Sequence, residues 1–99
     1  MSPYSLSKAA RKDLKSIATF TQKTWGANQR RAYIKEIDDA FQYLSEHPSA
    51  GSQCHYISPD LRKHHCKSHI TFFEVTSSSS IFVVRILHKS MDVVRHFTN

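Results

Sequence analysis

The sequence predicts an α+β fold, a helical hairpin packed on a small antiparallel β-sheet, with the element order β-α-α-β-β-β. Two observations carry this prediction. Apolar residues recur at helical spacing through the first half of the chain, whereas runs rich in Ile, Val and Phe, broken by consecutive serines, occupy the second half. With 99 residues there is room for one modest hydrophobic core, so we expect a single domain over residues 1–99.

Two amphipathic helices make up the predicted hairpin. Ser7 is positioned to cap the first helix, and Gly26 to end it, because glycine readily adopts the backbone conformation that follows a helix. The second helix begins near Asn28 and ends at His47-Pro48, where proline cannot continue it. The short link predicts antiparallel packing. The apolar faces hold Ala10, Leu14, Ile17, Ala18, Thr21, Thr24 and Trp25 in the first helix, and Tyr33, Ile37, Ala40, Phe41 and Leu44 in the second.

Most of the strands follow a predicted loop over residues 47–60. The candidate strands are residues 4–6, 61–66, 69–76 and 81–88, and the last two are the strongest because β-branched and aromatic residues dominate them. Four consecutive serines, at positions 77–80, predict a hairpin turn between these two strands. Beyond Lys89 we expect a short helical turn capped by Ser90.

The two strong strands predict a sheet with two apolar faces if Thr76 pairs with Ile81 across the turn. The face toward the helices would hold Phe73, Val75, Phe82, Val84 and Ile86. The other face would hold Ile70, Phe72, Val83 and Leu87, with Glu74 and Arg85 as a diagonal charge pair. Because two helices cover one side of a small sheet, we expect the second face to be an exposed partner surface. The alternative is that the C-terminal tail folds over this face, and the two interpretations are compatible.

The charge balance predicts an anionic partner. Lys and Arg number 14 against 8 for Asp and Glu, which gives a net charge of +6 and a pI near 9.6. The basic face of the first helix could contact either nucleic acid or an acidic protein segment, and no aromatic platform for bases interleaves with it. It is formed by Lys8, Arg11, Lys12 and Lys15.

Several classes of protein are excluded by composition. The chain has no run of about 18 apolar residues, and its first twelve residues lack the apolar stretch of a signal peptide, so we expect a cytoplasmic protein. Two cysteines are too few for a disulfide scaffold. Two glycines leave no phosphate-binding loop. We therefore expect no cofactor.

Histidines and cysteines raise two further possibilities. The candidate zinc ligands are Cys54, His55, His64, His65, Cys66 and His69. They lack Cys-x-x-Cys spacing, and neighbouring strand residues point to opposite faces, so we predict no metal site. His69 would lie opposite His88 in the predicted hairpin, and such a pair could supply the general base and general acid of a ribonuclease.

Six segments, in order over nearly the whole chain, resemble one family. They are Ser5–Ile17, Thr24–Gly26, His47–Gly51, Leu61–Arg62, Ser68–Phe73 and Val84–Asp92. In these segments the chain is similar to the ParE-type toxins of the RelE/ParE superfamily of bacterial toxin–antitoxin systems. The resemblance implies a helical hairpin on a small antiparallel sheet, in agreement with the pattern above.

The same resemblance implies a function. ParE-type toxins poison DNA gyrase and block replication without enzymatic activity of their own, and they serve in plasmid or chromosome maintenance. Each is neutralised by a ParD-like antitoxin, which has a ribbon-helix-helix DNA-binding part and a flexible C-terminal segment. The antitoxin, or the toxin–antitoxin complex, represses its own operon, so contact with DNA is expected through that complex or beside gyrase.

The RelE branch of the superfamily offers the competing function. RelE-like toxins cut mRNA on the ribosome and use basic residues to stabilise the charge that gathers on phosphorus. This chain has Ile70 where such toxins carry a central arginine, and Ser90 near the position of a later one. His96-Phe97 occupies the region of their terminal tyrosine. These departures favour the ParE branch.

Two sets of site residues follow from the resemblance and the sheet pattern. We expect the end of the last strand and the tail to contact gyrase, through Arg85, His88, Met91, Asp92, His96 and Phe97. We expect the antitoxin to bind an apolar groove formed by Ile70, Phe72, Val83 and Leu87.

Overall fold

The computed structural model describes residues 3–97 and confirms the predicted α+β fold. The elements are β1 (Tyr4–Leu6), α1 (Lys8–Trp25), α2 (Ala27–Glu46), a 3₁₀ turn (Pro48–Ala50), β2 (Ser52–Gln53), β3 (Arg62–Cys66), β4 (His69–Ser77), β5 (Ser80–His88) and α3 (Val93–Phe97). The predicted element order is therefore confirmed. The short strand β2, inside the predicted loop, is an addition to it.

The sheet has five strands in the order β1-β5-β4-β3-β2. The pairs among β2, β3, β4 and β5 are antiparallel, whereas β1 pairs with β5 in parallel. The sheet is thus mixed: the predicted antiparallel sheet carries β1 as a parallel strand at one edge. The hydroxyl of Tyr4 in β1 donates to Asp38 of α2. Burial and this carboxylate raise the pKa of Tyr4 to about 12.

The helix boundaries follow the predicted capping residues. The Ser7 hydroxyl accepts a hydrogen bond from the Ala10 N–H at 2.9 Å and donates one to the Val84 carbonyl at 2.6 Å, so the cap also ties α1 to β5. Gly26 alone connects the two helices, with a φ of +96° that favours glycine. Its N–H donates to the Gln22 carbonyl at 2.9 Å and closes α1.

The strand register of the β4–β5 hairpin is as predicted at the end away from the turn and again at the turn, where Ser77 lies opposite Ser80. Between these ends it is shifted by one residue, so that Ile81 lies opposite Val75 and not opposite Thr76 as predicted. His69 lies opposite His88 and Phe72 opposite Arg85, as expected. The register slips by one residue between Phe72 and Phe73, which lies opposite Val83. The extra residue in β5 is Val84, a β-bulge that reverses the faces of the residues between it and the turn.

Because of this bulge, residues of β5 near the turn lie on the face opposite to the predicted one. Val83 is fully buried in the core between the helices and the sheet, and not on the outer face. Val84 packs on the outer face, and Phe82, between two inward residues, also lies on that side. Val75 is 41% exposed and not a core residue. The helix-side core consists of Ala10, Ile17, Ile37, Phe41, Leu44, Phe73, Ile81, Val83 and Ile86.

The outer face of the sheet is covered by the chain itself. Ile70, Phe72 and Leu87 are 7%, 0% and 1% exposed. They form a second core with Cys54 and Leu61 from the loop before β3, and with the partly buried Val93 and Phe97 of α3. The Phe97 ring meets that of Phe72 edge-on, with centroids 5.1 Å apart. The expectation of an open apolar face is therefore wrong, and the alternative of a covering tail is confirmed.

Gly51 permits close packing of the 3₁₀ turn on the core. A Cβ atom at this position would lie 2.5 Å from Cζ of Phe73, which is fully buried. We predict that Gly51→Ala lowers the free energy of unfolding by about 1–3 kcal/mol, because the aromatic ring has no space to move. Urea denaturation measures the change. Ser52→Ala, at an exposed neighbour, is the control, and equal stability of the two variants would contradict this packing.

Candidate functional site

Arg85 is held by an ion pair that the sequence pattern did not predict. Its Nε lies 2.8 Å from Oδ2 of Asp13 in α1, and its Nη2 lies 2.9 Å from Oδ1. The N–H of Ile86 donates to the same Oδ2 at 3.0 Å. The carboxylate raises the pKa of Arg85. Arg85 therefore joins α1 to β5 and is not paired diagonally with Glu74 on the outer face.

An open groove of about 470 Å³ lies where α1, α2 and the ends of β3, β4 and β5 meet. We call it the aromatic groove and define it by Phe20, Trp25, Tyr33, His69, His88 and Met91. Phe20 and Trp25 are 66% and 70% exposed. Trp25, which helical spacing placed on the buried stripe, instead lies at the edge of this groove. Exposed aromatic side chains beside a concave surface are typical of protein-binding sites.

Three polar rings line part of the aromatic groove. The Tyr33 hydroxyl lies 2.6 Å from Nδ1 of His69, and the His69 and His88 rings meet edge-on with centroids 5.3 Å apart. Nδ1 of His88 accepts from the Ser90 N–H at 3.1 Å. Burial, followed by the neighbouring His88, lowers the pKa of His69, while Asp13 opposes the shift. The neutral imidazole of His69 is therefore favoured over the protonated one, relative to a free histidine.

This arrangement bears on the ribonuclease alternative. The predicted pairing of His69 with His88 is confirmed. Among the described residues that line the groove, Lys67 is the one Lys or Arg, and its ammonium lies 3.0 Å from the Glu36 carboxylate. A pentavalent phosphorus would therefore meet two histidines and one cation that is already paired. The two imidazoles and the tyrosine offer groups for acid–base chemistry. The described residues of this groove do not supply the unpaired cations that phosphoryl chemistry uses.

The six residues expected to contact the target do not form one site. His88 and Met91 line the aromatic groove, and Met91 is 45% exposed. Asp92 and His96 are exposed, whereas Phe97 is directed toward Phe72 on the outer face of the sheet. The sixth residue, Arg85, is paired with Asp13. Ser90, expected to cap the terminal helix, instead bonds to His88, and α3 begins three residues later.

The four residues expected to bind the antitoxin are all buried. Ile70, Phe72 and Leu87 lie beneath α3 and the loop before β3, and Val83 faces the helices on the opposite side of the sheet. These four side chains therefore do not form one exposed groove. Antitoxin binding at these residues stays a prediction, and on the outer face it requires that α3 or the loop before β3 be displaced.

The candidate zinc ligands are dispersed by the fold. Cys54 belongs to the outer core and Cys66 packs against the helix-side core. Within residues 3–97, no three His, Cys, Asp or Glu side chains are grouped so that they could hold a metal ion. His64 has a buried Nδ1 without a hydrogen-bond partner in this part of the chain. Burial and the neighbouring His65 lower the pKa of His64.

No helix within residues 3–97 has the length and apolar character of a membrane-spanning segment.

A second groove, of about 520 Å³, lies between α1 and α2 beside β1. We call it the basic groove. Its charged residues are Arg11, Lys15, Arg30 and Arg31, and its apolar residues are Leu6, Leu14, Ala18, Ala27 and Ile34. The sequence pattern identified Arg11 and Lys15 as part of a basic helix face. It did not indicate that α2 adds two arginines, because the pairing of the helices decides which faces meet.

The chain matches a family model described as "ParE toxin of type II toxin-antitoxin system, parDE" over residues 4–93. Toxin ParE1 of Mycobacterium tuberculosis is 39% identical over 95 residues, which cover 96% of this chain and 97% of that protein. Toxin ParE1 of Caulobacter vibrioides is 31% identical over 96 residues, covering 97% and 98%. Toxin ParE of Escherichia coli is 31% identical over 94 residues, covering 95% and 91%.

A solved structure agrees with the fold. The structure described as "Chromosomal ParDE TA system from P. aeruginosa" aligns with a TM-score of 0.72 and 18% identity, covering 89% of this chain and 96% of that one. The fold is therefore the one found in that system. The family model and the relatives show that the chain belongs to the ParE toxin family of type II toxin–antitoxin systems.

The Asp13–Arg85 pair should stabilise the fold measurably. We predict that Asp13→Asn lowers the free energy of unfolding by about 1.5–3 kcal/mol, because it leaves a partly buried guanidinium with a weaker acceptor. The change is measured by urea denaturation. Asp39→Asn is the matched control, since Asp39 forms an exposed pair with Lys35 that should contribute less than about 0.5 kcal/mol. Equal effects at the two positions would refute a special role for Asp13.

Proposed function

We propose that this chain poisons DNA gyrase and blocks replication, and that a ParD-like antitoxin neutralises it. Membership in the ParE family supports this function, and relatives named as ParE toxins span nearly the whole chain. The solved ParDE system of similar fold supports an antitoxin partner. Gyrase acts on chromosomal and plasmid DNA, so we propose that the protein is cytoplasmic and serves in plasmid or chromosome maintenance.

One observation carries the proposed mode of action, namely the exposure of Phe20, Trp25 and Met91 around an open groove. Large exposed apolar side chains cost solubility and are retained where a partner covers them. Aromatic residues at the centre of such contacts contribute the largest shares of binding energy. We propose that gyrase contacts the aromatic groove, and that the toxin acts by binding and not by catalysing a reaction.

The C-terminal segment is part of the same proposed surface. His88 and Met91, both expected from sequence to contact the target, line the groove with Trp25. Asp92 follows Met91 directly and is exposed, and His96, five positions after Met91 in α3, is exposed as well. Arg85 and Phe97 would contribute indirectly, because one joins β5 to α1 and the other packs α3 on the sheet.

Endoribonuclease activity is the second candidate, and the Tyr33–His69–His88 cluster is the observation that favours it. Cleavage of mRNA at the ribosomal A site in a reconstituted translation reaction tests it directly. Intact message at toxin concentrations that stop growth excludes this candidate. Cleavage that disappears in His69→Asn and His88→Asn would replace the gyrase proposal.

A gyrase assay with a groove variant tests the leading proposal. We predict that the purified chain inhibits supercoiling and traps cleaved DNA, and that Trp25→Ala raises the half-inhibitory concentration at least about tenfold, as expected for an interface aromatic. Tyr56→Ala is the control, since Tyr56 is 63% exposed and lies outside the groove. Normal supercoiling and no trapped cleavage product, at toxin concentrations that stop growth, would contradict the gyrase proposal.

Removal of the tail tests the contribution of the C-terminal segment. Truncation after His88 takes away Met91 and the whole of α3, and we predict that it cuts toxicity while antitoxin binding partly survives. Growth after induction reports the first effect and co-purification with the antitoxin the second. The double change Asp92→Ala/His96→Ala, at exposed positions, separates a contact role from a loss of folding. A truncated chain that remains fully toxic contradicts the assignment.

A further inference from the structure

We infer that His88 positions Met91 at the aromatic groove, and that it does so in its neutral form. The inference rests on the proposed function, in which gyrase contacts this groove. Gyrase binding then depends on a residue that holds one edge of the surface in place, and it depends on pH. His88 is a positioning residue, since its ring acts on the surface through the turn that follows it in the chain.

The hydrogen bonds of His88 define which ring nitrogen carries its proton. Nδ1 accepts from the Ser90 N–H at 3.1 Å, and the Ser90 hydroxyl oxygen lies 2.6 Å from the same nitrogen. A backbone N–H can only donate, so Nδ1 has no proton of its own, and the hydroxyl donates to it as well. The proton of neutral His88 is therefore on Nε2, and Nδ1 is the atom that holds Ser90.

The turn between β5 and α3 is closed by the same residue. The Met91 N–H donates to the His88 carbonyl at 2.9 Å, and the Lys89 N–H donates to the Ser68 carbonyl, also at 2.9 Å. Met91 follows Ser90 directly and lines the aromatic groove. The side chain and the carbonyl of His88 thus hold the two residues that lead the chain to the groove.

Met91 differs from the aromatic residues of the groove in how it is supported. Phe20 and Trp25 belong to α1, whereas Met91 lies between β5 and α3, outside the helices and strands. It is 45% exposed. A segment of this kind, with exposed backbone hydrogen bonds and few buried contacts, is among the least stable parts of a fold. The position of Met91 therefore depends on the hydrogen bonds of its own turn.

Protonation of His88 removes part of this support. An imidazolium donates from both nitrogens, so a proton on Nδ1 points at the Ser90 N–H and leaves that amide without its acceptor. The Ser90 hydroxyl can rotate and accept, but the backbone N–H cannot. Histidine side chains gain their charge in the range of about pH 5 to 8. We therefore expect the turn to loosen as the pH falls through this range.

The facing histidine limits how much charge the pair can take up. His69 lies opposite His88 in β4, and the ring centroids are 5.3 Å apart. Burial, followed by the charge of His88, lowers the pKa of His69. A proton on one ring therefore opposes a proton on the other, and burial further disfavours the charged form of His69.

The other charged and titratable groups near the pair come from all the surrounding elements. They are Asp13 of α1, Tyr33 and Glu36 of α2, Cys66 of β3, Lys67 of the β3–β4 turn, Arg85 of β5, and Lys89 and Asp92 beyond β5. The helix carboxylates are already paired, Asp13 with Arg85 and Glu36 with Lys67. A protonated His88 would have to compete with these cations for either carboxylate.

Two substitutions at position 88 separate the hydrogen-bond acceptor from the titratable ring. Asparagine commonly accepts a hydrogen bond from the backbone N–H two residues further along the chain, which is the spacing from His88 to Ser90. His88→Asn therefore keeps an acceptor for this amide at every pH, whereas His88→Leu removes it. Circular dichroism and a thermal melt verify that both variants are folded.

Nuclear magnetic resonance of the full chain tests the hydrogen bonds without gyrase. Long-range proton–nitrogen correlations of the His88 ring identify its tautomer, and we expect the proton on Nε2. We also expect solvent exchange of the Ser90 amide, corrected for the intrinsic rate, to accelerate at least about threefold between pH values of about 8 and 6. The corrected rate should stay constant in His88→Asn. A proton on Nδ1 of the neutral ring overturns the inference.

The supercoiling assay tests the consequence for the target. At a pH of about 8 we expect His88→Leu to raise the half-inhibitory concentration at least about tenfold, with His88→Asn at least about threefold more inhibitory than His88→Leu. At a pH of about 6, the unmodified chain should lose at least about threefold relative to His88→Asn in the same buffer. This ratio cancels the pH dependence of gyrase itself. A residue needed only for folding would not produce such a difference in pH profile.

The results that contradict the inference differ from those that contradict the proposed function. Parallel pH profiles of the unmodified chain and His88→Asn, or equal potency of the unmodified chain and His88→Leu, overturn the inference and leave gyrase inhibition in place. A pH dependence that persists in His88→Asn and disappears in His69→Asn assigns the effect to His69 and also overturns it. A chain that does not inhibit gyrase at any pH contradicts the proposed function, and the role of Met91 with it.

Discussion

The hydrogen bonds accepted by the Asp13 carboxylate are the contacts on which the position of the helical hairpin on the sheet depends. This carboxylate accepts two hydrogen bonds from Arg85 and one from the Ile86 N–H, so a single side chain of α1 holds both side chain and backbone of β5. These bonds lie directly after the bulge at Val84. With the Ser7 cap bonded to the Val84 carbonyl, the first helix is joined to the last long strand at two neighbouring points. The helical hairpin therefore has a defined position on the sheet.

That position determines which surfaces are left for partners. One face of the sheet packs on the helices and the other is closed by α3 and the loop before β3. Within residues 3–97 neither face of the sheet is therefore left as an open apolar surface, and the hairpin has a groove on each of its two sides. One side has exposed aromatic residues and histidines, and the other has four cations around apolar residues. Two kinds of protein partner suit two surfaces of different chemistry.

Local signals predicted the elements well because each depends on a few neighbouring residues. Helix α1 begins after Ser7 and ends before Gly26 as expected, since a hydroxyl cap and a positive φ are properties of single residues. The pairing of His69 with His88 followed from counting back from the serine turn. The bulge could not be predicted in this way, because counting from the turn assumes an uninterrupted register and gives no sign of an extra residue in one strand. One extra residue then reversed the faces of Val83 and Val84.

Residue type, order and spacing were enough to establish the fold class, the helical hairpin, the strong strands, the net positive charge and the resemblance to ParE-type toxins. Only the tertiary structure decided that Arg85 pairs with Asp13, 72 positions away, that α3 covers Phe72, and that arginines of α2 complete a groove begun on α1. Such contacts join residues far apart in the chain, and their formation depends on how the packed elements meet in space and not on local pattern.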